Sequence, residues 1–72
     1  MHMLDVFIVK VPGSGSDLLD QIIKLLDSYG IYSEKLQLVE DFYLLRTNDG
    51  ASMLDALNWY HIPVLRCYKF TR

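Results

Sequence analysis

Six segments of apolar patterning run along the chain, and each predicts one element. Leu4 to Val11 is rich in Val, Ile and Phe and predicts a first strand. Its two faces, Leu4-Val6-Ile8-Lys10 and Asp5-Phe7-Val9-Val11, both carry apolar residues, as a central strand covered on both sides would. Pro12 ends the ladder because it lacks an N–H, and Gly13 and Gly15 permit a tight turn. Leu19, Ile22, Ile23 and Leu26 then recur at helical spacing, widened by Leu18, Leu25 and Tyr29. Ser16 is the expected N-cap of that helix, and Gly30 the expected stop. Asp17 and Asp20 fall in the first turn, where the helix dipole favours negative charge, and Asp20 is spaced to pair with Lys24.

Ile31 to Val39 and Phe42 to Thr47 predict two strands joined tightly at Glu40-Asp41. Leu36 and Leu38 alternate with Lys35 and Gln37, the pattern of a half-exposed antiparallel strand. Asn48-Asp49-Gly50 is a turn cluster. A second helix follows from about Ala51 to Tyr60, with Met53, Ala56, Leu57 and Tyr60 on one face and Ser52 and Asp55 at capping-box spacing. Pro63 stops it, and Val64 to Phe70 predicts the last strand, with Val64, Arg66, Tyr68 and Phe70 alternating against Leu65, Cys67 and Lys69. The order β-α-β-β-α-β predicts a single α+β domain of the ferredoxin-like class spanning residues 1–72. Right-handed crossovers place both helices on one face of a four-stranded antiparallel sheet, with the first and third strands central.

Composition narrows the choices. A chain of 72 residues builds one small core, and small domains lean on disulfides, a metal or a partner subunit. Cys67 stands alone, which removes disulfides, and His2, His61 and Cys67 lack metal-ligand spacing, so no cofactor is expected. A hydrophobic fraction of 51% then points to a homodimer. The formal net charge of −2 supplies no field for phosphate-backbone binding, so nucleic acid is a disfavoured partner. No apolar run is long enough to span a bilayer. Met1-His2 reads as a cloning remnant before a start at Met3, and a lone thiol without an export signal predicts a cytoplasmic protein.

The Pro12-Gly13-Ser14-Gly15-Ser16-Asp17 turn is the sharpest local feature. It has neither Walker nor dinucleotide spacing, and its acidic residues favour an ammonium over a phosphate. Pro12-Gly13 after the first strand, Gly30-Ile31-Tyr32 after the helix, and Ala56-Leu57 with Ile62-Pro63-Val64 near the end resemble the ACT domain. That family is a regulatory module for small polar metabolites such as amino acids. The resemblance implies a non-enzymatic protein that pairs with a second copy. It further implies an effector lodged against Pro12, Gly13, Ser14, Gly15 and Ser16. The chain departs from the family pattern by the inserted Ser14-Gly15-Ser16 and by Val11 in place of an acid before Pro-Gly.

A second reading rests on the sheet face away from the helices. With Val6 and Ile8 in the core, Phe7, Val9 and Val11 face outward beside Arg66, Tyr68 and Phe70, joined by Phe42 or Tyr43. This is an apolar surface fit for a protein partner. Sheet aromatics also resemble RNA-recognition modules, but Asp41-Phe42-Tyr43-Leu44-Leu45-Arg46 lacks the glycine-aromatic pattern of that family. Trp59 lies off the apolar face of its helix and is a candidate interface anchor. Cys67 is expected as a small core residue and His61 at a helix end, with no third group to complete a catalytic set. The sequence therefore predicts no enzyme. It leaves an effector-binding module and a protein-interaction module or inhibitor.

Overall fold

The computed structural model describes residues 4–13 and 15–70, with the backbone alone at residue 70. The elements are β1 (Leu4–Lys10), α1 (Gly15–Ser28), β2 (Ser33–Val39), β3 (Phe42–Thr47), α2 (Gly50–Trp59) and β4 (Val64–Phe70). The strands form one antiparallel sheet in the order β2-β3-β1-β4, the βαββαβ arrangement of a ferredoxin-like fold. Both helices pack on one face. Leu19, Ile22 and Leu26 of α1 and Met53, Ala56 and Leu57 of α2 share a core with Phe7, Val9, Val11, Tyr43 and Leu45.

The two faces of β1 are reversed from the sequence expectation. Phe7 (2% exposed) and Val9 (0%) lie under the helices, and Val6 and Ile8 lie on the open face. Both faces are apolar, so alternation alone could not rank them. The turn decides. Gly15 sits so close to Val11 that a Cβ there would fall 1.7 Å from Val11 Cγ1. The entry into α1 thus traps Val11 beneath the helix, and the period of two carries Val9 and Phe7 to the same side.

Two irregularities reset the alternation of the edge strands. Ile8 pairs with Arg66 but Val9 with Val64, so Leu65 is an extra residue and Val64 turns onto the helix side. Likewise Gln37 pairs with Tyr43 but Val39 with Phe42, leaving Leu38 extra. Cys67, opposite the buried Phe7, is nevertheless exposed rather than in the core. Its strand is an edge strand, and α2, ten residues long, does not cover it.

The two helices stop in the same way. In α1, the Gly30 N–H reaches Asp27 O at 2.9 Å and the Ile31 N–H reaches Leu26 O at 3.0 Å. In α2, the His61 N–H reaches Asn58 O at 3.1 Å and the Ile62 N–H reaches Leu57 O at 2.9 Å. Both are Schellman motifs, with the residue after the cap in left-handed conformation, φ +77° at Gly30 and +60° at His61. Ile31 and Ile62 each follow the reversal and pack inward. Thr47, fully buried on β3, donates through Oγ1 to Tyr32 O at 2.8 Å and accepts from the Asp49 N–H at 3.2 Å. This bond ties the exit of α1 to the entry of α2.

Capping departs from expectation at α2. Asp49 is the N-cap, accepting from the Ser52 N–H at 3.2 Å and from the Ser52 hydroxyl at 2.9 Å, so Ser52 and Asp55 do not form a capping box. Those bonds hold the Asp49 carboxyl below its ordinary pKa. At α1, Ser16 is the second helical residue rather than the cap.

Candidate functional site

Three surfaces compete, beginning with the β1–α1 turn. Pro12 and Gly13 are exposed, Gly15 and Ser16 are half-buried, and Ser14, expected to contact an effector, lies outside the described residues. Ser16 and Asp20, among the described residues, have a partner on a distant strand. The Lys35 ammonium, reaching across from β2, donates to the Ser16 carbonyl at 3.2 Å and to the Ser16 hydroxyl. It also pairs with Asp20 at 2.9 Å, so Asp20 is bridged to β2 rather than to Lys24. Gly15 N–H donates to Pro12 O at 3.1 Å, and Val11 N–H to Asp41 O at 2.8 Å. Among the described residues of the turn, Pro12 and Gly13 are the exposed ones.

The second surface is the open face of the sheet. Register places Leu4, Val6, Ile8 and Lys10 of β1 beside Phe42, Leu44 and Arg46 of β3. Glu34 and Leu36 of β2 continue the face on one side, and Arg66 and Tyr68 of β4 on the other. Val6 is only 4% exposed although no helix covers it, because its cross-strand neighbours Arg46 and Tyr68 flank it. Val6, Leu36 and Leu44, with Glu34 and Arg46, line a shallow depression of about 440 Å³. Glu34 and Arg46 are cross-strand partners and form an ion pair. Bonds first from the Tyr32 hydroxyl and then from Arg46 lower the Glu34 pKa, and the same Tyr32–Glu34 bond raises that of Tyr32. Lys10 stands 5.7 Å over the Phe42 ring. The charges on this face are Lys10, Arg46 and Arg66 against Glu34, whereas the helices carry Asp17, Asp20, Asp27 and Asp55 against Lys24.

The third surface lies in the helix layer. Leu25, Leu26 and Tyr29 of α1 and its exit, with Ile31, face Ser52, Asp55, Ala56 and Trp59 of α2 across a groove of about 530 Å³. Trp59 is 79% exposed and Tyr29 73%.

The residues expected at an interface, on the sheet face or at Trp59, therefore divide. Arg66 and Tyr68 belong to the open sheet face, and Trp59 is on the opposite side of the sheet, in the helix layer. Phe7 and Val9 are core residues and serve no surface, for the reason of parity given above. The Phe70 side chain, expected on the same surface, lies outside what the structure describes. Sequence reasoning missed Ile8, Leu36, Leu44 and Arg46 on the face. Their signal was available in the parity set by Val11, which must tuck under the helix that begins four residues later. It also missed Tyr29 as a surface group, since its spacing reads as an extension of the core stripe. Among the described residues no group of three His, Cys, Asp or Glu side chains gathers to hold a metal ion, and no helix is long and apolar enough to cross a membrane. Compared with family models, with curated proteins and with solved structures, the chain matches none, so its likeness to the ACT domain rests on the short motifs alone.

Proposed function

We propose that the protein is a non-enzymatic interaction module whose open sheet face docks a protein partner with an apolar centre and an acidic rim. One observation carries this reading: an aliphatic floor of Val6, Ile8, Leu36 and Leu44 bordered by Lys10, Arg46 and Arg66. An apolar patch bordered by charge is the anatomy of a docking surface, where burial supplies affinity and the rim supplies steering. The central strands present aliphatic side chains at Val6, Ile8 and Leu44, where base-stacking sheets present aromatic rings, which favours protein over RNA. Lys10, Arg46 and Arg66 outnumber Glu34 on this face, so an acidic surface complements it better than a second copy would. The effector reading finds less support, because Lys35 already occupies the polar groups of Ser16 and Asp20.

The test places a photo-crosslinking amino acid at Leu36, on the open face, and separately at Asp27, on α1, in otherwise intact protein. The expected result is one acidic protein captured from the Leu36 position, not from Asp27, and lost with Arg46→Glu or at high salt. Capture that ignores Arg46→Glu and salt would refute the reading, as would capture of RNA. A selective rise in Tm with one free amino acid, abolished by Gly13→Val, would instead assign the function to the β1–α1 turn.

A further inference from the structure

The groove between the helices is independent of the sheet face and has its own chemistry. Its walls follow from helical spacing. Leu25 and Tyr29 lie one turn apart on α1, and Ser52, Asp55 and Trp59 lie in line on α2. Leu26, Ile31 and Ala56 complete an apolar floor. Its volume of about 530 Å³ falls within the range of binding clefts. Trp59 and Tyr29 stand out from the surface as two large rings with little covering them, the residue types most enriched at interface hot spots.

Charge selects the occupant. Asp55 is the one charged side chain among the lining residues, and it lies one turn from Trp59. The exit of α1, at Tyr29, meets the entry of α2, at Ser52, so a carboxyl and an amino helix end border the groove together and their dipoles offset. An anion would meet repulsion from every charge in the groove. A cation would meet two exposed aromatic rings and a carboxylate. A planar guanidinium fits better than an ammonium, because it stacks flat on an aromatic ring while its fork donates to a carboxylate. Its three-carbon stem matches the apolar floor.

We infer that this groove docks an arginine side chain presented by a segment of a partner protein. The guanidinium lies between Trp59 and Tyr29, bonded to Asp55, with the flanking residues of the segment running along α2. The protein then carries two docking surfaces of opposite charge on opposite sides of one sheet, the layout of an adaptor between an acidic and a basic partner.

Trp59 is the single tryptophan of the chain, so its emission reports this groove directly. The first probe is N-acetylarginine methylamide, titrated into the intact protein beside its citrulline counterpart, which keeps the shape and removes the charge. A saturable change in Trp59 emission is expected, with the citrulline compound roughly ten-fold weaker. The Asp55→Asn variant should lose a similar factor, and Tyr29→Ala should weaken binding as well. Both substitutions are at exposed positions, and unfolding curves establish that they leave the fold intact. The second arm selects a displayed library of random peptides on the wild-type protein and again on Asp55→Asn. Arginine enriched at one position, with binding lost on Asp55→Asn, is the supporting outcome. Equal response to citrulline, indifference to Asp55→Asn, or selected binders without arginine would overturn the proposal. So would an empty selection. If the blocked amino acid binds as tightly as the selected peptides, the occupant is a small organic cation, and docking of a protein segment is refuted. Arg46→Glu should leave all of these results unchanged, so failure here and failure at the sheet face read separately.

Discussion

The paired helix ends set up a measurement in which one backbone angle is the variable. Gly30 and His61 hold the same position in the same motif, with φ of +77° and +60°. Left-handed geometry costs an L-residue about 1–2 kcal/mol because Cβ crowds the following carbonyl. Glycine escapes that strain but loses more freedom on folding, which returns about 0.5–1 kcal/mol. His61→Gly should therefore stabilise the domain by about 0.5–1 kcal/mol. For a domain of this size the gain corresponds to a Tm about 2–8 °C higher. The assay is thermal unfolding followed by circular dichroism. His61→Ala is the control, since alanine keeps the Cβ and should show no comparable gain. Gly30→Ala is the converse and should lower Tm. A Cβ at Gly30 meets no atom within 4 Å, so any loss there comes from the backbone and not from a clash. If His61→Ala gains as much as His61→Gly, the histidine side chain and not its φ is the source of strain, and the reasoning fails.

Two further predictions address the turn and the second helix. Gly15→Ala places a methyl group against Val11 and should destabilise by about 1–3 kcal/mol by overpacking, and Gly15→Ala with Val11→Ala should cost less than the sum of the two, as a double-mutant cycle on urea midpoints will show; strict additivity would mean that the contact with Val11 is not what demands glycine. The Asp49 carboxyl, lowered from its ordinary 3.8 by its bonds from Ser52, contributes stability that is complete above that value and is lost as pH falls through the lower folded pKa. The stability difference between wild type and Asp49→Asn should therefore shrink as the solution is acidified below about pH 4, and a difference that stays constant to pH 2 would refute the assignment.

The pattern of apolar and polar residues determined the element order, the antiparallel sheet with β1 and β3 central, and the core stripes Leu19-Ile22-Leu26 and Met53-Ala56-Leu57. These follow from periodicity, which each residue shares with its near neighbours in the chain. Trp59 was legible as an off-face residue for the same reason. Tertiary structure alone decided what depends on contacts between distant segments. The side of the sheet that Phe7 and Val9 face was settled by Val11 meeting Gly15, because two equally apolar faces carry no local preference. The bulges at Leu38 and Leu65 shift side chains between faces through pairing with another strand, which no alternation within one strand can register. Lys35, opposite the buried Leu45 on the helix side of β2, binds Ser16 and Asp20 and braces the start of α1 from a distant strand. Packing likewise brought Tyr29 and Trp59, thirty residues apart, to the two walls of one groove. Periodicity is legible in the sequence because its terms are local; the open sheet face and the groove between the helices are products of register and packing, whose terms are not.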